Sequence, residues 1–379
     1  MIKKAVCILL ICLLNLSLSG CWSYRGLNEL TIVAGIGIDK DKATGLYHLT
    51  VEAVDLTTVK TSGIKYKMIE SEGVTIFDAV RNAKKRLINK LYFGNAQVIV
   101  ISNQIVSEDG IESVIDWFLR DLETRETLSV IISQEVSAKE IIIQDGIDSP
   151  IVSYQIKKII DEDNRVTGAT RSVELYKIYD NLKQPGISLV LPAFHNVMNN
   201  EKISPEVNGI AVFKQDKLLG YLDANETRHY LFAINQAHGG VLVFDNPGKG
   251  DGKITLEIAH NKTKISHSYD GGKVKIKIKV NTETFLDEST GHMDISDEQS
   301  IEQIKLAAEK LVAQNVSDII KKVQAEFNSD IFGFGNRIYK TDLALWNQIG
   351  KDWDSLFQTM EVEVTSDVEI LNTVYMKKN

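Results

Sequence analysis

The sequence predicts an α+β chain, with a mixed α/β first half and a second half of long antiparallel strands served by one long helix. Two patterns carry this. From Leu30 to Leu182, short apolar strands alternate with helical stretches, the order that builds mixed sheets with packed helices. From Gly209 onward strand follows strand, and a period-two pattern at Lys273–Val280 is followed by an apolar stripe at helical spacing.

The chain starts with a leader. Met1 to Lys4 is basic, and Ala5 to Leu14 (AVCILLICLL) is an apolar run of ten residues. As a helix it would span about 15 Å, roughly half a bilayer core, which fits a signal peptide over 1–20 better than a spanning segment. Leu18-Ser19-Gly20-Cys21 resembles the bacterial lipobox: an aliphatic residue, two small ones that admit a peptidase, and a thiol to take a diacylglyceryl group. Cys21 is therefore the expected lipidation site. A plain secretory signal with an incidental cysteine is the competing reading. Cys7 and Cys12 fall in the leader, so the mature chain would keep one cysteine and neither an internal disulfide nor a cysteine metal site. Trp22 and Tyr24 either rest at the headgroup level or pack on the first domain.

Leu30–Ile38 and Tyr47–Val54 read as strands joined by a turn at Asp39–Gly45. That turn is not a calcium loop, because Thr44 and Thr50 replace the glycine and glutamate such a loop requires. Lys65–Glu72 is the next strand, and Gly73–Leu87 an amphipathic helix with Ile76, Val80, Ala83 and Leu87 on one side. Asn95–Ser102 reads as a buried strand. Ile111–Leu122 is helical, with Ile111, Val114, Ile115, Phe118 and Leu122 in register. Leu128–Ser133 is a strand, and Ser149–Asp161 and Arg171–Leu182 are helices. Pro185, Pro192 and the polar run 196–205 suggest a boundary, placing a first region at 21–200, divisible near Ser149, and a second at 206–375.

In the second region Gly209–Phe213 and Lys217–Leu222 pair across a short turn, Asn225–Asn235 is a helix, and Val241–Phe244 is a strand. Pro247–Lys253 is a glycine-rich turn. It is not a phosphate loop, since Pro247 stands at the first required glycine and Ile254 follows Lys253. Ile254–His260 and Lys273–Val280 are long strands. The second carries lysines on one face, which is either a solvated face or a surface for a partner or lipid headgroups. Met360–Val364 alternates too, and Glu361 and Glu363 are expected to meet those lysines across one sheet. Ser296-Asp297-Glu298-Gln299 has capping-box spacing. It opens a helix to about Phe327 whose stripe (Ile304, Ala308, Leu311, Val312, Val316, Ile319, Ile320, Val323) should pack on the sheet; the repeat is not the strict heptad of a coiled coil.

Charge excludes some functions. The net charge is −8, and without Lys3 and Lys4 there are 41 Lys and Arg against 51 Asp and Glu, about −10. That is the wrong sign for broad nucleic-acid binding or for general adhesion to an anionic bilayer. Catalytic signatures are missing too. The seven histidines are scattered without metal spacing, and no Gly-x-Ser-x-Gly elbow occurs. Catalytic, cofactor and metal residues are all expected to be none.

Several segments, in order along nearly the whole chain, together resemble the Ger(x)C lipoproteins, the C-subunit family of spore germination receptors. They are Cys21-Trp22 with Leu30–Asp39 (LTIVAGIGID), Leu91-Tyr92-Phe93-Gly94-Asn95, Arg120-Asp121, Gly209–Lys214 with Gly220-Tyr221-Leu222, and Asp330-Ile331-Phe332-Gly333-Phe334-Gly335 with Trp346 and Asp352–Phe357. Ser23 and Gly26 depart from the family pattern just after the anchor. The resemblance implies a three-domain mature chain. It implies a non-enzymatic, lipid-anchored subunit on the outer face of the spore inner membrane. There it would work with two integral membrane subunits, one transporter-like and one multi-span, in nutrient-triggered germination. A solute-binding lipoprotein serving a transporter is the alternative. Phe332, Phe334, Trp346 and Trp353 are either core aromatics or partner contacts, the role aromatic hot spots often take.

Overall fold

The computed structural model describes residues 29–55, 65–248, 251–291 and 297–371. Strands β1 (Leu30–Lys40) and β2 (Tyr47–Asp55) pair antiparallel, with Asp39 opposite His48. Their turn is closed from within: the Asp41 carboxylate accepts from the Thr44 amide at 2.7 Å and its hydroxyl at 3.0 Å. This is an Asx-type turn, in which a short side chain replaces a backbone acceptor. β3 (Lys65–Gly73) adds to β2 antiparallel. Helix α1 (Ile76–Ala83) starts where the Thr75 hydroxyl accepts the Asp78 amide, and it tightens into a 3₁₀ turn at Lys84–Arg86.

β4 (Lys90–Tyr92) runs parallel to the start of β1, and β5 (Val98–Ser102) runs parallel to its later half. Then follow α2 (Asn103–Glu108), α3 (Glu112–Arg120), β6 (Ser129–Ser133), α4 (Lys139–Ile142), α5 (Val152–Val166), α6 (Leu175–Lys183), β7 (Val190–Asn199), β8 (Lys202–Lys214) and β9 (Lys217–Leu222). The sheet order is β3-β2-β1-β5-β6-β7-β8-β9, with β4 beside β1. Its centre is parallel and its two wings are antiparallel. Helices cover both faces, which explains why β5 and β6 read as unbroken apolar runs. Ile99, Ile101, Val130 and Ile132 face α1, α3 and α6, while Val98, Val100 and Ile131 face α4 and α5.

The second layer holds α7 (Ala224–Ala233), β10 (Val241–Asp245), β11 (Lys253–Asp270), β12 (Lys273–Ser289), α8 (Glu298–Lys322), α9 (Phe334–Thr341), α10 (Leu343–Ile349), α11 (Trp353–Thr359) and β13 (Glu361–Ile370). Its sheet runs β10-β11-β12-β13. The stripe of α8 is buried as expected at Ile304, Ala308, Val312, Val316, Ile319 and Ile320. Val190, Ile210, Val212 and Leu222, from the β7–β9 wing of the first sheet, belong to the same core.

Several expectations change. The second sheet is not wholly antiparallel, because β13 joins β12 in parallel. Parallel neighbours need a crossover, and α8 to α11 supply it. The polar run 196–205, read as a boundary, lies in the β7–β8 hairpin, and the first sheet continues through it to β9. Residues beyond Ser149 likewise return to that sheet through α5. Leu122 is fully exposed, because α3 ends at Arg120 and Asp121 is extended. The cap of α8 is Asp297, which accepts from the Ser300 amide at 3.1 Å; Ser296 lies outside the described residues.

Candidate functional site

The Asp330–Gly335 segment is organised around one carboxylate. Asp330 is buried, and its Oδ1 accepts the amides of Gly333 at 2.8 Å and Phe334 at 3.2 Å. Its Oδ2 accepts the Gly335 amide at 2.8 Å and the Trp353 indole N–H at 3.1 Å. Burial pushes the Asp330 carboxyl up to about 6, and these four donors hold it back from rising further. Gly333 sits at φ +73°, and a β-carbon on Gly335 would lie 2.6 Å from the Trp353 indole. The loop is fastened to the preceding layer as well. The Ser188 amide donates to the Asp330 carbonyl at 2.8 Å, and Asn336 donates from its amide to Gly186 O at 2.7 Å and from Nδ2 to Pro185 O at 3.0 Å.

The aromatic candidates follow this loop inward. Phe332, Phe334 and Trp353 are buried, and Phe332 stacks on Phe334 with ring centroids 5.2 Å apart. Trp346 is half-buried, 5.7 Å from Trp353 and 6.1 Å from Tyr339. The structure therefore brings the four together, with Phe332, Phe334 and Trp353 in the core and Trp346 packed, half-buried, against it. Cys21 lies outside the described residues, as do Trp22 and Tyr24.

The lysine stripe meets its acidic counterpart across one sheet, as expected. Lys275 stands opposite Glu361 and Lys277 opposite Glu363, with Lys275 Nζ 2.8 Å from Glu361 and 3.2 Å from Glu363. Hydrogen bonding to Lys275 holds the Glu363 carboxyl below its ordinary value.

Sequence reasoning missed two carboxylates that position the first layer. Glu52 on β2 is fully buried and accepts the amides of Val152 and Ser153 at 2.9 Å and the Ser153 hydroxyl at 2.5 Å, which caps α5. Asp39 caps α4 through the amides of Ala138 at 2.7 Å and Lys139 at 3.0 Å. Burial raises the pKa of both. Gly35 precedes Asp39 on one face of β1, and a β-carbon there would strike the Ser153 hydroxyl at 2.0 Å. The spacing Gly35-x-Gly37-x-Asp39 was the available signal: period two puts glycine, glycine and acid under incoming helix ends.

Glu52 and Asp330 are buried and engaged by backbone N–H groups, while Asp39 is half-buried and also lines a hollow of about 520 Å³ with His48, Glu70, Glu72 and Lys139. Among the described residues no group of three or more His, Cys, Asp and Glu is placed to hold a metal ion, and no helix is long and apolar enough to cross a membrane. A groove of about 850 Å³ is lined by Phe77, Val80, Leu91, Phe93 and Trp117 with basic and acidic side chains at its rim.

Residues 23–196 match the family described as "Spore germination protein N-terminal domain", and residues 208–374 match "Spore germination B3/ GerAC like, C-terminal". The chain belongs to the Ger(x)C family of spore germination proteins. Among Ger(x)C relatives, it is 25% identical to spore germination protein KC of Bacillus subtilis (strain 168), over 98% of this chain and 97% of that one. It is 25% identical to spore germination protein B3 of the same organism, over 94% and 95%. A crystal structure of the GerBC protein shares the fold, with a TM-score of 0.57 at 20% identity over 89% of this chain and 97% of that one. The two Ger(x)C matches meet across 197–207, at the β7–β8 hairpin inside the first sheet.

Proposed function

We propose that this chain is the lipid-anchored, non-enzymatic C subunit of a nutrient germinant receptor. It is held on the outer face of the spore inner membrane by diacylglyceryl-Cys21, and it works with two integral membrane subunits, one transporter-like and one multi-span. The observation that carries the reading is the end-to-end match to spore germination proteins, both family regions in order and nearly the full length of each relative. The lipobox-like Leu18–Cys21 behind a matching leader supports the anchor, since two acyl chains hold a protein stably where one binds marginally. Buried carboxylates engaged by backbone amides fit a scaffold rather than an acid–base site.

Deletion of the gene is expected to abolish or slow germination triggered by this receptor's nutrients and to leave nutrient-independent germination unchanged; normal nutrient germination after deletion overturns the reading. Cys21→Ala is expected to release the protein from spore membranes into the soluble fraction. Full membrane retention of that variant would show that the lipid is not the main tether.

A further inference from the structure

The rim of the groove beside β4 joins three features. The first is position. Leu30, where β1 begins, pairs with Lys90 on β4, and Lys90 and Leu91 line the groove. Nine residues separate Cys21 from Leu30, a reach of at most about 30 Å. A folded body of this length has a radius of gyration of about 20 Å, so its diameter exceeds the tether. The side carrying Leu30 and Lys90 is thus kept near whatever holds Cys21.

The second feature is exposed apolar surface. Ile88 is 95% exposed and Leu122 fully so, the two most exposed large apolar side chains among the described residues; Leu122 lines this groove, and Ile88 stands two residues before Lys90, which does. Phe77, also in the lining, is 46% exposed. The third is charge. Arg81 to Lys90 holds five basic residues and no acidic one, in a chain of net −8. Of the cations that line the groove, Lys90 is paired with Glu123 and Arg120 with Asp116, while Arg81 and Lys84 make no ion pair among the described residues; Lys85 and Arg86 line a separate hollow with Asp39, Glu70 and Glu72. Arg81 lies over the Phe77 ring at 4.8 Å, and Lys84 donates to the Leu87 and Ile88 carbonyls, so the cations and the apolar tips form one surface.

We infer that this face, with Ile88 and Leu122 as its insertion points and Arg81 and Lys84 as its cationic rim, lies against the surface of an anionic bilayer. Whole-chain charge opposes membrane adhesion, but the attraction of a local basic cluster acts within a Debye length of about 8–10 Å, where the distant acidic surface is screened. Apolar tips among cations match the chemistry of an interface: side chains enter the headgroup–acyl boundary while ammonium and guanidinium groups meet phosphate. The inference rests on the anchor proposed for Cys21. It adds an orientation, one fixed face rather than a freely tumbling body.

The test uses the mature lipidated protein on vesicles. Single labels with an environment-sensitive fluorophore are placed through Ile88→Cys, Leu122→Cys and, as a control on α8, Leu306→Cys. Vesicles are phosphatidylcholine alone or with phosphatidylglycerol, and carry a bilayer-resident quencher. Labels at 88 and 122 are expected to be quenched at least threefold more than the label at 306 on anionic vesicles. Arg81→Glu/Lys84→Glu is expected to remove most of that difference while the protein still co-sediments. Protein that co-sediments with all three labels equally solvent-exposed overturns the orientation and leaves the anchor standing. Protein that does not co-sediment overturns the anchor and the orientation with it. Labels at 88 and 122 that become shielded only when membrane-protein partners are reconstituted assign the face to a protein instead and overturn the bilayer assignment.

Discussion

Four N–H donors converge on the Asp330 carboxylate, so a single side chain holds the loop between α8 and α9 and orients Trp353. Asp330→Ala leaves those donors buried without an acceptor. It is expected to lower unfolding free energy by about 3–5 kcal/mol, read from urea denaturation. A loss below about 1 kcal/mol would show that the loop does not depend on the carboxylate. Gly335→Ala tests the close approach on the other side. Its β-carbon would lie 2.6 Å from a buried indole that has little freedom to retreat, so about 1–3 kcal/mol should be lost, with altered tryptophan fluorescence. An unchanged melting curve would mean the loop and indole separate easily.

At the level of elements, the first layer depends on helix starts that land on strand carboxylates. The α5 N-terminus carries unpaired amides and a partial positive charge, and Glu52 satisfies two of those amides from the sheet beneath. Glu52→Ala removes both acceptors inside a sealed interface, and about 2–4 kcal/mol of stability is expected to go with them. Glu52→Gln keeps the shape and one acceptor oxygen, so it should lose less than the alanine variant by chemical denaturation; equal losses would assign the effect to packing. The sequence displayed the alternation of β1 and β2 but not this partnership, because Glu52 and Ser153 are about a hundred residues apart and nothing local ties them. By contrast, the charge exchange between β12 and β13 was legible, because each showed a polar face of one sign; the parallel pairing that sets Lys275 opposite Glu361 was not.

For the molecule as a whole, two buried groups give opposite pH dependences. Burial raises Asp330 to about 6, above its unfolded value near 3.8, so the folded state holds that proton more tightly. Its contribution is present at low pH and is lost as pH rises from about 4 to 6, roughly 2–3 kcal/mol in all. His229 on α7 is buried, its Nδ1 lacks a hydrogen-bond partner among the described residues, and burial first and then nearby Arg228 depress it to about 4. Its contribution runs the other way: it is present above about 6.5 and is lost as pH falls toward 4. The two slopes offset each other between pH 4 and 6. Relative to wild type, His229→Gln is therefore expected to make stability fall more steeply with rising pH across that window, and Asp330→Asn to make it fall less or rise. Parallel pH profiles for wild type and both variants would show that neither group titrates with folding.

The sequence by itself determined the elements, the acidic balance and the expected lipid site at Cys21, because periodicity, turn chemistry and a leader are properties of neighbouring residues. It also carried the charge complementarity of β12 and β13, since a strand's two faces are written in alternate positions. Only the tertiary structure decided that the first sheet runs through residue 200, that β13 pairs in parallel, that Phe332, Phe334 and Trp353 are enclosed, and that Leu122, Phe77, Arg81 and Lys84 stand together beside β4. Those outcomes depend on which faces of distant elements meet. An apolar or aromatic residue reads the same in sequence whether a partner element covers it or leaves it bare.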